Sequence, residues 1–430
     1  MQCLSRIMLG AATLLAASYT QPIAAAVDYA LEAGVGHSDN IRRVADEEIE
    51  ETIATAGVDL SWTETRSRLT ADVNVNVDYF EYLDDTFDSD VVGTADGTLL
   101  FGIIPERFIW LLQDSFGQVI SDPFAPVTPE TRENVNYLTT GPDLTVRFGG
   151  TGFARVLGRY SLTDYERSPF DSERAAGGIG FGRRISAGNE LSLNGLIESI
   201  DFDDPTIVDF DRENVFARYL LEGSRTDISI ELGYTWLERQ DGLESDGELI
   251  RVELSRRVSD ASTVSLTAGS QLTDASDAMR TSIEGPAVGG HTGVISTGEP
   301  FDNQFATLTW SFTRNRTNMG LSVSLEQDEF QINRELDRSV VIWDASFDRR
   351  ISRVMSAGLF ASLSEEEFDT TGASTEELRA GITCSWQFGR ATGLRLQLER
   401  FDRSGDESLG EFVEHRAFLT LFYSPASSTQ

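Results

Sequence analysis

Apolar and polar side chains alternate along the chain in segments of about ten residues, the length that a tilted β-strand needs to cross a bilayer. The alternation is clearest in Leu69–Phe80, where Val73 and Val75 share one face and Asn74 and Asn76 share the other. Side chains alternate across a β-strand, so each segment has one apolar and one hydrated face. The pattern recurs in Ile228–Trp236, Ala306–Phe312, Leu378–Phe388 and Leu394–Glu399. We therefore predict an all-β chain.

The connections between these segments alternate between two kinds. One kind is very short and carries arginine: Thr65–Arg68, Pro105–Arg107, Arg183–Asn189, Ser224–Asp227, Arg256–Ser262, Arg314–Thr317, Arg349–Arg353 and Arg390–Gly393. The other kind is longer and acidic: Ser38–Thr52, Leu83–Asp90, Ser121–Asn134, Asp201–Glu213, Glu238–Glu248, Asp274–Asp302 and Glu365–Glu377. Short turns at one end of the strands and long loops at the other are typical of an outer-membrane β-barrel.

These patterns predict one transmembrane antiparallel up-and-down β-barrel of about twenty strands, with short periplasmic turns and long acidic extracellular loops. Segments Phe108–Ile120 and Asn136–Phe148 alternate less regularly, so eighteen strands is the alternative count. A soluble β-sandwich or β-helix would also alternate, but it has no reason to sort its connections by length and charge. A coarse pass along the chain finds no convincing amphipathic helix, which argues against an α/β enzyme.

The first residues have the composition of a secretory signal peptide. Arg6 precedes a short apolar stretch, Ile7–Ala17, and Ala24–Ala26 offers a cleavage site before Val27. We therefore divide the chain into a signal peptide (1–26), the barrel (27–423) and a short C-terminal tail (424–430), and we expect the protein in the cell outer membrane as a multi-pass barrel. Cys384 is the one cysteine left after processing, so no intrachain disulfide supports the fold.

The chain is strongly acidic, with a formal net charge of −35, and all its basic side chains other than histidine are arginine. Phosphate binding needs a basic surface, so this charge argues against nucleic-acid partners. Acidic outer loops are instead compatible with a surface among lipopolysaccharide head groups and their divalent ions. The expected partners are thus outer-membrane lipid and lipopolysaccharide.

If the apolar faces contact lipid, the polar faces line the interior of the barrel. The charged candidates for this lining are Asp59, Asp72, Asp78, Arg159, Glu198, Arg218, Glu231, Arg251, Glu253, Asp344, Arg379, Arg395, Glu399 and Arg416. A barrel of this size leaves a lumen whose charges tune passage, for example of a sugar chain. Alternatively, these side chains pair across strands and fill the interior. The sequence leaves both interpretations open.

Signals for catalysis or a cofactor are weak. Asp201, Asp203 and Asp204 offer hard oxygen ligands for a divalent ion, but Pro205 interrupts the loop and no complete calcium-loop motif is present. A solvated acidic loop explains them better. His37 near Asp39 resembles part of a hydrolase site, although such pairs are common by chance. We predict no cofactor, no dedicated metal site and no enzymatic activity.

The predicted mature N-terminus, Tyr29–Arg43, contains Ser38-Asp39-Asn40 at the end of the first strand and is followed by a polar loop and a strand at Ala54–Thr63. This opening resembles a family of outer-membrane β-barrel porins found beside exopolysaccharide synthesis and export loci, including those linked to PEP-CTERM sorting. The resemblance implies a conduit for extracellular polysaccharide, with export components as partners, and it carries no catalytic residues. One departure is that residues 424–430 follow Tyr423, where barrels often end on an aromatic residue.

Three alternatives to polysaccharide export follow from the same barrel. The first is a general diffusion porin for small solutes, which an inward-folded constriction loop would support; the Gly-rich connection Asp274–Asp302 is the candidate. The second is a structural or adhesive barrel with a plugged lumen. The third is a surface hydrolase.

Overall fold

The computed structural model describes residues 26–284, 293–406 and 409–425. Within them the chain forms twenty β-strands, each antiparallel to its neighbours in the sequence. The strands are β1 (Ala26–Ser38), β2 (Glu51–Thr65), β3 (Leu69–Tyr82), β4 (Asp90–Ile104), β5 (Phe108–Ile120), β6 (Arg132–Phe148), β7 (Gly152–Tyr165), β8 (Ser172–Ser186), β9 (Asn189–Phe202), β10 (Phe210–Glu222), β11 (Thr226–Arg239), β12 (Glu244–Ser259), β13 (Ser262–Thr273), β14 (Phe301–Arg314), β15 (Thr317–Phe330), β16 (Arg338–Arg350), β17 (Met355–Phe368), β18 (Ala373–Gln387), β19 (Thr392–Gly405) and β20 (Phe412–Tyr423).

The first and last strands pair with each other and close the sheet. Their register runs from Leu31 opposite Tyr423 to Ser38 opposite Arg416. The predicted barrel of twenty strands is therefore confirmed, and the alternative of eighteen is wrong. The signal peptide predicted at 1–26 lies outside the described residues except for Ala26, as do residues 426–430 of the predicted tail.

The outer wall of the barrel is apolar. Residues on its exposed face include Leu144, Val146 and Phe148 of β6 and Leu419 and Leu421 of β20, each between 43% and 54% exposed. A water-soluble monomer rarely exposes a continuous apolar surface on this scale, whereas a membrane barrel places such a band in hydrocarbon. The protein is an outer-membrane β-barrel. No helix among the described residues is both long enough and apolar enough to cross a bilayer.

The two kinds of connection lie at opposite ends of the barrel, as predicted, but two of the predicted acidic loops are much shorter than expected. Glu365–Glu377 and Glu238–Glu248 contain connections of only four residues each, 369–372 and 240–243. The flanking acidic residues belong to strands that continue past the apolar band; Glu367, for example, is paired with Ser374 across β17 and β18. Acidic side chains do not end these strands, because the backbone N–H and C=O groups stay hydrogen-bonded to the neighbouring strand.

The longest connection contains structure that the sequence reading missed. Residues 274–300, between β13 and β14, include helix α1 (Ala275–Glu284), and a single 3₁₀ turn (Arg334–Leu336) precedes β16. The expectation of no convincing helix was therefore wrong at α1. Asp274 caps the helix, because its carboxylate accepts hydrogen bonds from the backbone N–H groups of Ser276 and Asp277.

Gly93 in β4 supplies a test of local backbone fit. Its φ is +136°, and a Cβ added there would lie 2.1 Å from the backbone oxygen of Asn76. We expect Gly93→Ala to destabilise the barrel by about 1–3 kcal/mol, because alanine cannot adopt this conformation without strain. Gly97→Ala is the matched control on the same strand, since its nearest neighbour, Val73 Cγ2, would be 3.6 Å away. Urea titration of the two variants in micelles measures the difference; equal midpoints would contradict the expectation.

Candidate functional site

The described residues 274–284 and 293–300 of the connection between β13 and β14 partly fill the interior of the barrel, and we call them the infolded connection. Its helix α1 lies against β4 and β5. At the same time, its first residues are bonded to β8 and β10, and its last described part is bonded to β16. These strands lie on different sides of the closed sheet, so the segment crosses the lumen.

Two buried arginines of the wall hold the start of the infolded connection. Arg174 of β8 binds both carboxylate oxygens of Asp274 at 2.9 Å and Asp277 at 2.8 Å. Arg212 of β10 contacts Asp277 and binds Glu198 at 2.8 Å. We call these five residues the anchoring cluster. Its members face one another away from water, so each carboxylate and each guanidinium depends on the others for solvation.

Three arginines around Asp277 keep its carboxylate ionised. Burial alone would raise the pKa of its carboxyl, but Arg174, Arg212 and Arg280 outweigh burial and hold that pKa well below its usual range. Because the folded-state pKa is depressed, the stabilisation is present above the ordinary pKa of an aspartate and is lost only as pH falls below it. The anchor therefore persists throughout the neutral range.

Apolar packing reinforces this anchor. Met279 of α1 is fully buried in a cluster with Val119, Tyr137, Tyr165 and Phe330, which come from four strands of the wall. Complete burial of a side chain of this size contributes about 1.5–3 kcal/mol. The helix is thus a fixed part of the barrel interior.

The far end of the infolded connection joins the wall at two points. Backbone hydrogen bonds of 2.8 Å link Ile120 of β5 to Val294 and Ser296. Arg338 of β16, which is 2% exposed, donates to the carbonyl of Gly293 at 2.5 Å. The pairing of β5 with β4 stops at Phe116. Beyond this point the infolded connection pairs with backbone groups of β5 that β4 does not reach.

The β5–β6 connection (121–131) also reaches across the outer mouth. The Phe124 ring lies 4.8 Å from the ring of Phe368 on β17, and the carbonyl of Val127 accepts a hydrogen bond of 2.7 Å from Arg43 of the β1–β2 connection. Two connections therefore restrict the interior, one across the mouth and one within the lumen.

A cavity of 670 Å³ remains beside the infolded connection. It is lined by residues of β1–β6 and β13–β20 together with the helix positions Thr281 and Ser282. Five of the predicted lining residues border it: Asp78, Arg379, Arg395, Glu399 and Arg416. Two of them form an ion pair, Arg379 with Glu399 at 2.8 Å, and Arg395 binds Glu32 at 2.9 Å. Pairing across strands and lining a cavity thus occur together.

The other predicted residues lie on the inner face away from this cavity. Four of them are in ion pairs: Arg159 binds Asp143, and Arg218 and Arg251 flank Glu231. Three others are hydrogen-bonded: Asp344 accepts from Ser322, Asp72 accepts from Asn74, and Asp59 is bonded to Asn76. Glu198 belongs to the anchoring cluster, and Glu253 lies opposite Thr267 on β13. Their contact with a passing solute stays a prediction. The sequence reading missed Arg174, Arg212, Arg338 and Arg403, which are all buried on this face.

The weak metal candidate does not assemble. The Asp204 carboxylate accepts hydrogen bonds from the backbone N–H and the hydroxyl of Thr206, so it stabilises a turn. Asp201 lies on β9. In the part of the chain that the structure describes, no group of three or more His, Cys, Asp or Glu side chains is placed to hold a metal ion.

The histidine at the outer rim is not the one expected. Asp39 pairs with His415 of β20, at 2.9 Å from Nδ1, rather than with His37. The nearby Ser38 hydroxyl donates to Glu414 at 2.6 Å and is thereby directed away from His415. The pair fastens the seam between β1 and β20.

No protein-family model matches the chain, and neither does any curated protein. Among solved structures it is similar to the siderophore receptor PirA from Pseudomonas aeruginosa, with 12% identity over 94% of this chain and 81% of the receptor and a TM-score of 0.42. It is also similar to a mutant of the ferric enterobactin receptor PfeA from the same organism, with 9% identity over 94% of this chain and 81% of the receptor and a TM-score of 0.47. A third similar structure is OccK2 from P. aeruginosa in complex with glucuronate, with 10% identity over 93% of this chain and 98% of OccK2 and a TM-score of 0.36. At TM-scores below 0.5, these similarities carry no argument about the ligand of this chain.

Proposed function

We propose that this outer-membrane barrel is a constricted diffusion pore for small hydrated solutes. The observation that carries the proposal is the infolded connection, which crosses the lumen and leaves beside it a cavity bordered by charged side chains of both signs. A barrel of twenty strands is too wide for side chains alone to fill, so an inserted segment sets the size of what can pass. Side chains of both charge signs along the cavity supply hydrogen bonds that replace part of a solute's hydration.

A structural barrel with a plugged lumen is the main competitor. The buried cluster around Met279 is compatible with a plug, but its described residues come from α1, β5–β7, β14, β15 and the adjoining connection, and none comes from β1–β3 or β17–β20. The opposite side keeps exposed or half-exposed polar groups, including Thr55, Asn76, Ser362 and Gln397, on the cavity surface. A plug would be expected to bury such groups against protein, so this lining favours passage.

Export of extracellular polysaccharide, implied by the resemblance of the N-terminal region, stays a prediction, as do contacts with export components. Its test is deletion of the gene followed by measurement of secreted polymer and of small-solute uptake. Loss of polymer with uptake unchanged would favour export over the diffusion pore. Loss of uptake with polymer output unchanged would favour the pore. Lipopolysaccharide remains the proposed neighbour of the acidic outer rim.

Swelling of liposomes that contain the purified barrel tests the pore directly. We expect glucose to enter, a disaccharide to enter more slowly and a long oligosaccharide to be excluded, because the infolded connection limits the passage. Protein-free liposomes are the control. The absence of swelling with glucose would support a plug, and equal rates for all three sugars would contradict a constriction.

A further inference from the structure

The cavity wall formed by β18, β19 and β20 contains a buried arginine whose hydrogen-bonding capacity is largely unused. Arg403 borders the cavity and is 6% exposed, yet its Nε and Nη2 groups have no hydrogen-bond partner. Its nearest carboxylate, Glu377, lies 3.5 Å from Nη1 alone. Buried guanidinium donors without partners cost free energy, so such a group in a cavity points to a missing acceptor.

Two further arginines place excess positive charge beside Arg403. Arg43 and Arg416 share one buried carboxylate, Glu414, at 2.9 and 2.5 Å. With Arg403 and Glu377 included, the group has three cations and two anions, a net charge of +1. This balance is opposite to that of the chain as a whole, which has 70 acidic and 35 basic residues. The local excess matches one singly charged anion.

Aromatic rings fix these arginines in position. The Arg43 guanidinium lies 4.5 Å from the centroid of Phe401 and 5.1 Å from that of Phe412, and Arg416 lies 5.1 Å from Phe401. Phe412 is directly paired with Arg403 across β19 and β20. These contacts hold Arg43 and Arg416 in place, so the positive charge beside Arg403 is preorganised.

We propose that the guanidinium of Arg403 binds the carboxylate of a small hydrated solute, such as a sugar acid, within the cavity. The planar fork of arginine matches the two oxygens of a carboxylate, and the net charge of +1 suits a monoanion better than a dianion. This assignment rests on the proposed pore and names its substrate class.

Titration calorimetry of the detergent-folded barrel tests the site without requiring transport. Gluconate is the probe, glucose is the neutral comparison and inorganic phosphate is the second anion. Arg403→Gln should weaken gluconate binding about tenfold or more, the loss of one to two charge-assisted hydrogen bonds. Arg403→Lys keeps the charge but loses the fork, so it should bind with intermediate affinity and should fold if the glutamine variant does not.

The matched control is Arg400→Gln on the same strand. Arg400 pairs with Asp402 and is half-exposed on the opposite face, so its loss should leave gluconate binding unchanged. Equal affinities of the wild type, Arg403→Lys and Arg403→Gln would overturn the proposal, as would equal binding of glucose and gluconate. Tighter binding of phosphate than of gluconate would overturn the carboxylate assignment. Gluconate binding without liposome swelling would sustain this site and overturn the pore instead.

Discussion

Replacing Arg174 and Arg212 together with alanine is expected to raise the rate of disaccharide-driven liposome swelling severalfold and to admit oligosaccharides that the wild type excludes. The double change leaves Asp274 and Glu198 buried without a cation and leaves Asp277 with Arg280 alone. Breaking a buried ion pair by removing one partner costs about 3–5 kcal/mol. The cost falls on the infolded connection rather than on the barrel, because each strand keeps its complete backbone ladder.

The control for this release is the double variant Arg183→Ala with Arg184→Ala. Both arginines lie on β8, as Arg174 does, but they are exposed near its turn with β9. Swelling by every sugar should match the wild type. Far-ultraviolet circular dichroism should show that both double variants keep their sheet content. If the Arg174 and Arg212 variant folds and discriminates sugars as the wild type does, the anchoring cluster does not set the constriction.

The second large effect is expected at the lipid-facing wall. Val75 lies at the middle of β3, opposite Leu60 and Ala95 on the outer face. Val75→Arg should destabilise the folded barrel by about 2–4 kcal/mol, because it places a charge near the midplane of the bilayer. Urea titration of the barrel refolded in lipid vesicles measures this free energy.

The neighbouring Asn74 supplies the comparison for Val75. It lies on the inner face, where its amide donates to Asp72 at 3.2 Å and where water is accessible. Asn74→Arg should therefore cost much less than Val75→Arg. Equal penalties at the two positions would mean that the assignment of inner and outer faces is wrong.

Alternation along the chain, together with the sorting of the connections by length and charge, was sufficient to predict the barrel, because in a closed membrane sheet each strand contacts lipid on one face only. Where alternation was weak, the structure gives the reason. The outer end of β5 is buried on both faces, since every position from Ser115 to Ile120 is buried and Val119 packs against α1. A strand covered on both faces loses the polar half of the pattern.

Local sequence patterns could not predict the anchoring cluster. Arg212 lay in a segment interpreted as an acidic loop, although it belongs to β10, and its partners Asp274 and Asp277 are about sixty residues away. Local alternation cannot show which long-range pairs form. Arg403 was closer to prediction: continuing the inward positions Arg395, Gln397 and Glu399 along β19 leads to it. Burial and the missing hydrogen-bond partners, which single it out, required the fold.

Single-channel recording in a planar bilayer tests most directly whether water fills a narrowed passage through this barrel. The purified wild-type protein should produce discrete current steps, and the variant with Arg174 and Arg212 replaced by alanine should produce larger ones. A wild-type barrel that inserts into the bilayer and carries no ionic current would contradict the account.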